Sequence, residues 1–185
     1  MPAALDPDAA LAIHRLLNPN HPAPWRGFTD ITRVLERDPA SFRALVDALV
    51  GPHRAHPPDA ILCPESCGFL FGAPMAYALG TRLVLARRPG KLPRPTIRRA
   101  YRALGIGPSP EREMAIHADA LAAGMRVLIV DDVLATGGTV LAALDLVHER
   151  GATACGVAVA VELVRFRARD ALTERGVGTY AAVQF

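Results

Sequence analysis

Two rhythms of apolar residues alternate along this chain. Asp59–Cys63, Arg82–Ala86, Val127–Val130, Ala154–Leu163 and Gly178–Phe185 are short runs of Val, Ile, Leu and Ala with little polar interruption. Such runs suit strands buried on both faces of a parallel sheet. Between them, apolar residues recur at helical spacing. Asp6–Leu17 follows an Asp-Pro start, and Pro39–Val50 places Phe42, Leu45, Val46 and Leu49 on one face. Phe69–Leu79 stops at Gly80, Val140–Arg150 has Thr139 as its candidate N-cap and Gly151 as its stop, and Ala168–Arg175 is short. This repeated strand-helix order predicts an α/β fold, a doubly wound parallel sheet with helices on both faces, in a single domain spanning 1–185.

Two stretches break the rhythm. Asn18–Pro24 holds three prolines and ends any regular element. From Arg87 to about Glu113, proline, glycine and charge follow one another without firm periodicity, which predicts a long loop. Loops of that length in compact domains are usually functional.

Composition narrows the class. At 185 residues, with 51% hydrophobic and 21% charged, the chain can bury a sizeable core. With aromatics at 5%, that core rests on aliphatic side chains and Ala. The net charge of +3 comes largely from basic residues between Arg82 and Arg102, a cluster that a small polyanionic ligand explains without nucleic acid. Cys63, Cys67 and Cys155 have no Cys-x-x-Cys spacing, so neither a zinc site nor a disulfide framework is expected. Met1–Asn20 lacks the apolar core of a signal peptide, and no apolar run reaches the roughly 18 residues of a membrane span. A cytoplasmic protein with no membrane partner is expected.

The chemistry concentrates after Val130. There the strand is expected to end in Asp131-Asp132, followed by Val133-Leu134-Ala135-Thr136-Gly137-Gly138-Thr139 and a helix. Adjacent glycines let backbone amides approach an anion, and the Thr136 and Thr139 hydroxyls add donors beside a helix N-terminus. The loop suits a phosphate monoester. Two carboxylates just upstream would repel that phosphate, so they should face ribose hydroxyls or magnesium. A ribose 5-phosphate satisfies both halves.

This stretch resembles the binding signature for 5-phosphoribosyl 1-pyrophosphate (PRPP) in type I phosphoribosyltransferases. Within that family the chain is most similar to adenine phosphoribosyltransferases. The likeness rests on Phe28-x-Asp30-Ile31, Gly68-Phe69-Leu70-Phe71-Gly72, Arg88-Pro89-Gly90-Lys91-Leu92-Pro93, Val161-Glu162-Leu163 and Val183-Gln184-Phe185 as well as the central motif. The resemblance implies a type I fold with a small N-terminal cap over 1–38 carrying the base site, and a flexible active-site loop over 88–115. It also implies magnesium-dependent transfer of 5-phosphoribosyl from PRPP to a purine or purine-like base, adenine by default, by a homodimer.

By the same resemblance, Asp131 and Asp132 are the catalytic and metal-holding candidates, and Ala135, Thr136, Gly137, Gly138 and Thr139 hold the 5-phosphate. Ser66, Cys67, Gly68, Arg88 and Lys91 complete the PRPP site, the last two meeting pyrophosphate, in related enzymes across a dimer interface. Gly27, Phe28, Thr29 and Val133 face the base. Tyr101 and Leu104 belong to the loop.

Three positions depart from the family pattern. The usual Val-Phe-Arg-Asp is Gly27-Phe28-Thr29-Asp30, and the usual Glu-Ser/Ala-Arg-Gly-Phe is Glu65-Ser66-Cys67-Gly68-Phe69. The family's Glu-Tyr pair falls on Leu104 and Gly105 when counted without a gap, with Glu111 or Glu113 as substitutes if the loop is longer. Three further readings therefore stand beside adenine transfer: a modified or non-adenine base, a non-purine acidic acceptor met by Arg94, Arg98, Arg99, Arg102 and Arg112, and a PRPP-binding sensor without catalysis.

Overall fold

A computed structural model describes residues 31–102 and 111–185. Five parallel strands form one sheet in the order β2-β1-β5-β6-β7: β1 (Ala60–Pro64), β2 (Arg82–Ala86), β5 (Arg126–Leu134), β6 (Thr153–Glu162) and β7 (Thr179–Gln184). The chain steps from β1 outward to β2 through helix α3 (Gly68–Leu79). It then returns to β5 on the other side of β1 and proceeds through α4 (Gly138–Glu149) and α5 (Ala168–Glu174) to β6 and β7. The winding direction reverses between β1 and β5, and in open α/β sheets that reversal opens a crevice at the carboxyl ends of the strands.

Both faces of the sheet are covered. On one, α1 (Thr32–Arg37), α2 (Pro39–Val50) and α3 bury Leu45, Leu49, Phe71 and Met75 against Ile61, Leu128, Val130 and Ala158. On the other, α4 and α5 bury Val140, Leu144, Val147 and Leu172 against Leu62, Ile129, Val157 and Val159. The alternation along β5, Val127 and Ile129 to one side and Leu128 and Val130 to the other, explains why the run reads as continuously apolar. Helix α3 lies unusually close to β1: a Cβ on Gly72 would stand 1.8 Å from Cys63 Sγ, so only glycine fits there.

The strands and helices expected on the described residues form within a residue or two of their predicted limits, with three corrections. First, the segment read as an irregular loop contains an antiparallel hairpin, β3 (Thr96–Arg102) and β4 (Glu111–His117), paired from Thr96↔His117 to Arg102↔Glu111. One face of the hairpin packs Ile97, Tyr101, Met114 and Ile116 on the core beside α4, while the other carries charge, and that mixture hid the strand period. Second, β5 does not end before the aspartates but runs through them to Leu134, because β6 keeps pairing with it (Asp131↔Val159, Val133↔Val161, Leu134↔Glu162). Third, Thr139 is not the N-cap of α4; Gly137 is, at φ 82°, and Thr139 sits in the first turn. Gly137 does this because its backbone is left-handed and a Cβ there would press within 3.1 Å of the Ala168 Cβ. The Asp6–Leu17 helix, the Gly27-Phe28-Thr29 segment and Leu104 lie outside the described residues.

Candidate active site

The cleft follows from unequal strand lengths. β1 pairs with β5 only from Ala60↔Val127 to Leu62↔Ile129, and then its chain turns away through Pro64 and Glu65. Beyond Ile129, β5 keeps its β6 neighbour and lacks β1. The vacated side is a crevice of about 210 Å³. Its walls are the β1 turn (Glu65, Ser66, Cys67), the end of β5 with its loop (Asp131 to Val140), Leu163 after β6, and Tyr101 and Arg112 from the hairpin. The Glu65–Ser66 peptide is cis.

Asp131 is the buried member of the carboxylate pair, 7% exposed. Among the described residues its one donor is the Asp132 backbone N–H, 3.0 Å from Oδ1. Burial first, and the adjacent Asp132 carboxylate second, push the Asp131 carboxyl well above the usual carboxylate range. Gly68 makes this packing possible, since a Cβ there would lie 3.0 Å from both Asp131 Oδ1 and the Val130 carbonyl oxygen. A desolvated carboxylate pair with so few donors of its own suits a ligand that brings charge or hydroxyls. Magnesium fits this donor set: it commonly takes one or two carboxylates and completes its shell with water and substrate phosphates. Among the described residues no group of three or more metal-type side chains exists, so an all-protein cage is not the arrangement here.

Next to the pair, Ala135, Thr136, Gly137, Gly138 and Thr139 curve into the N-terminus of α4. No side chain caps that helix, so its first amides are left to meet an anion. Cys67, half-buried on the opposite wall, has its thiol pushed up by burial and then by the Asp132 charge, which keeps it protonated and poor as a nucleophile.

Thus Asp131, Asp132, Val133, Ala135–Thr139, Ser66 and Cys67 come together in one crevice, and Gly68 supports it from behind. Arg88 stands at the rim, where its Nε donates to Glu65 Oε1 at 3.0 Å and its backbone N–H to Oε2 at 3.1 Å. Burial pushes the Glu65 carboxyl up, but the hydrogen bonds from Arg88 and Arg87 together outweigh it and hold the group below its ordinary value. Lys91 is exposed and does not line the crevice. Among the wall residues, Glu65, Leu134, Val140 and Leu163 carried no site role in the sequence analysis, and Arg112 entered it only as one of the arginines of the acidic-acceptor reading. For Arg112 a signal existed: Arg112, Met114 and Ile116 are spaced by two, so a strand would put all three on one face.

The profile of the Phosphoribosyl transferase domain family matches residues 34–175. The chain belongs to that family. It is 45% identical over 151 residues to an adenine phosphoribosyltransferase of Desulforamulus reducens, covering 82% of this chain and 85% of that protein. It is 42% identical over 167 residues to the one from Pectobacterium atrosepticum, covering 90% and 88%. Among solved structures, the adenine phosphoribosyltransferase of Thermoanaerobacter pseudethanolicus superposes with a TM-score of 0.81 at 37% identity, covering 95% of this chain and 99% of that one. Within this phosphoribosyltransferase, no described helix is long and apolar enough to cross a membrane.

Proposed function

We propose that this phosphoribosyltransferase moves the 5-phosphoribosyl group of PRPP to adenine, giving the nucleoside 5′-monophosphate and pyrophosphate. The observation that carries the reading is the junction of the Asp131-Asp132 pair with the phosphate loop at the point where the sheet reverses direction. That the relatives are adenine phosphoribosyltransferases supports adenine as the base.

In this mechanism the amides and hydroxyls of Ala135–Thr139 hold the 5-phosphate at the α4 N-terminus. Asp131 and Asp132 orient the ribose and would hold magnesium, which when bound would offset the negative charge of the pyrophosphate. As the bond to pyrophosphate breaks, positive charge builds on the anomeric carbon, and the two carboxylates are placed to stabilise it. Val133 and Leu163 offer an apolar wall to the base, and Gly27, Phe28 and Thr29 of the 1–38 cap are assigned to the base by the family resemblance. Ser66 and Cys67 flank the pyrophosphate end, and Arg88 approaches it from the rim. Lys91, exposed and outside its own crevice, suits the crevice of a second copy, so a homodimer is part of this reading. One domain over 1–185, with 88–115 as the segment beside the reacting groups, completes it. The same reading takes the enzyme to be cytoplasmic.

The test is pyrophosphate release from PRPP, with and without magnesium, across adenine, hypoxanthine, guanine, deazapurines and acidic heterocycles. Magnesium-dependent release with adenine is expected. PRPP binding without release for any base would overturn the reading in favour of a sensor.

A further inference from the structure

The crevice is poorly matched in charge to the donor it is proposed to take. Among the described residues its walls carry three carboxylates, Glu65, Asp131 and Asp132, against one cation, Arg112. The β1 turn, Glu65-Ser66-Cys67-Gly68, contributes no basic side chain. Arg88 is nearby, but it is 73% exposed and already committed to Glu65. Magnesium at the aspartates offsets part of the pyrophosphate charge, yet the end of the crevice away from the phosphate loop still needs a donor from the protein.

Arg112 stands at that end. It sits directly opposite Tyr101 in the antiparallel ladder, and the strand alternation that buries Met114 and Ile116 points the Arg112 side chain to the same face. Both Tyr101 and Arg112 line the crevice with the aspartates, and both also line the adjoining groove that Ser66 and Arg88 share. Tyr101 is half-buried and directly opposite Arg112 on the same face of the hairpin, which limits where the guanidinium can go. Among the described residues Arg112 forms no ion pair, in contrast to Arg87 and Arg88 on Glu65. An arginine whose fork is not taken by a carboxylate is suited to bidentate capture of phosphate oxygens.

The geometry points to Arg112 as the protein's own pyrophosphate-binding cation, steadied by Tyr101 across the hairpin. This rests on the phosphoribosyl-transfer reading of the crevice. The β3-β4 hairpin thereby closes the pyrophosphate end with a charge that the β1 turn does not supply.

The experiment measures binding directly, by calorimetry with magnesium, for pyrophosphate, PRPP and ribose 5-phosphate on the intact chain and on Arg112→Ala and Arg112→Lys. Loss of a charge-assisted contact predicts about 10- to 100-fold weaker binding of pyrophosphate and PRPP to Arg112→Ala. Ribose 5-phosphate, which lacks the pyrophosphate, should bind within about twofold of the unaltered chain, and Arg112→Lys should recover part of the loss. Because Arg112 is exposed, the variants should keep the melting temperature of the parent. Unchanged pyrophosphate affinity in Arg112→Ala would overturn the assignment. An equal loss for ribose 5-phosphate would also overturn it, by placing the contribution at the other end of the crevice. If the unaltered chain binds PRPP but turns over no base, the transfer reading fails while these binding comparisons still decide the role of Arg112.

Discussion

Replacing Arg169 with alanine should destabilise the fold severely, although the residue lies outside the crevice. Glu162 ends β6 with its side chain 4% exposed. The Arg169 Nε donates to both of its oxygens, at 3.0 and 3.2 Å, and an Arg169 Nη nitrogen adds a third bond. Gln184 Nε2 donates to Oε2 at 2.7 Å, and Arg169 Nη1 also reaches the Thr179 carbonyl at 2.6 Å. The arginine thereby ties α5 to β6 and β7. Its removal leaves a buried carboxylate with one neutral donor. Breaking such a pair costs about 3–5 kcal/mol, and since Arg169 is itself 36% exposed, water can enter and the lower end, about 3 kcal/mol, applies. For a chain of this size that lowers the melting temperature by about 6–12 °C.

The same network sets a pH dependence. Burial pushes the Glu162 carboxyl up, but the hydrogen bonds from Arg169 and Gln184 outweigh it, and the group titrates below its unfolded value of 4.5. Its stabilising contribution is therefore present above about pH 4.5 and is lost as pH falls through the folded value. The deficit of Arg169→Ala should shrink on acidification, because protonating Glu162 removes what the arginine stabilised. Glu162→Leu with Arg169→Met should recover much of the stability. Calorimetric melting at pH 7 and pH 4 measures all of this. A melting temperature within about 2 °C of the parent at pH 7, or a deficit equal at the two pH values, would refute the reasoning.

Asp131→Asn with Asp132→Asn should abolish pyrophosphate release while leaving the far-ultraviolet circular dichroism unchanged; retained turnover would remove the central motif from the mechanism. Gly72→Ala should cost about 1–3 kcal/mol in urea unfolding, because its Cβ would stand 1.8 Å from Cys63 Sγ, and Cys63→Ala in the same chain should restore most of it. Failure of that second change to help would mean that the close packing of α3 on β1 is not the cause.

The crevice was legible where a residue's role is local. Asp131-Asp132 and Thr136-Gly137-Gly138-Thr139 announce their chemistry because a phosphate loop is built from consecutive backbone amides. Helix Pro39–Val50 and strand Arg82–Ala86 came out at their predicted limits, since one buried helix face leaves a period in the sequence and the edge strand keeps a short apolar run that buries Val84 and Ala86. The N-cap was misread because Thr139 is a good cap in isolation; Gly137 takes that place through its left-handed backbone and its approach to Ala168, thirty-one positions further along.

What the sequence by itself determined is the repeating strand-helix order, and with it the doubly wound fold, together with the chemistry of the sugar-phosphate loop. Tertiary structure alone decided that β5 continues through the aspartates, because its length is set by hydrogen bonds to β6 and not by its own apolar run. It also decided that Arg112 faces the crevice while Lys91 does not, since pairing with Tyr101 aims one side chain inward and an exposed turn leaves the other in water. Local order is written in neighbouring residues; which distant side chains meet across a cleft depends on strand pairing and register, and those form only when the chain folds.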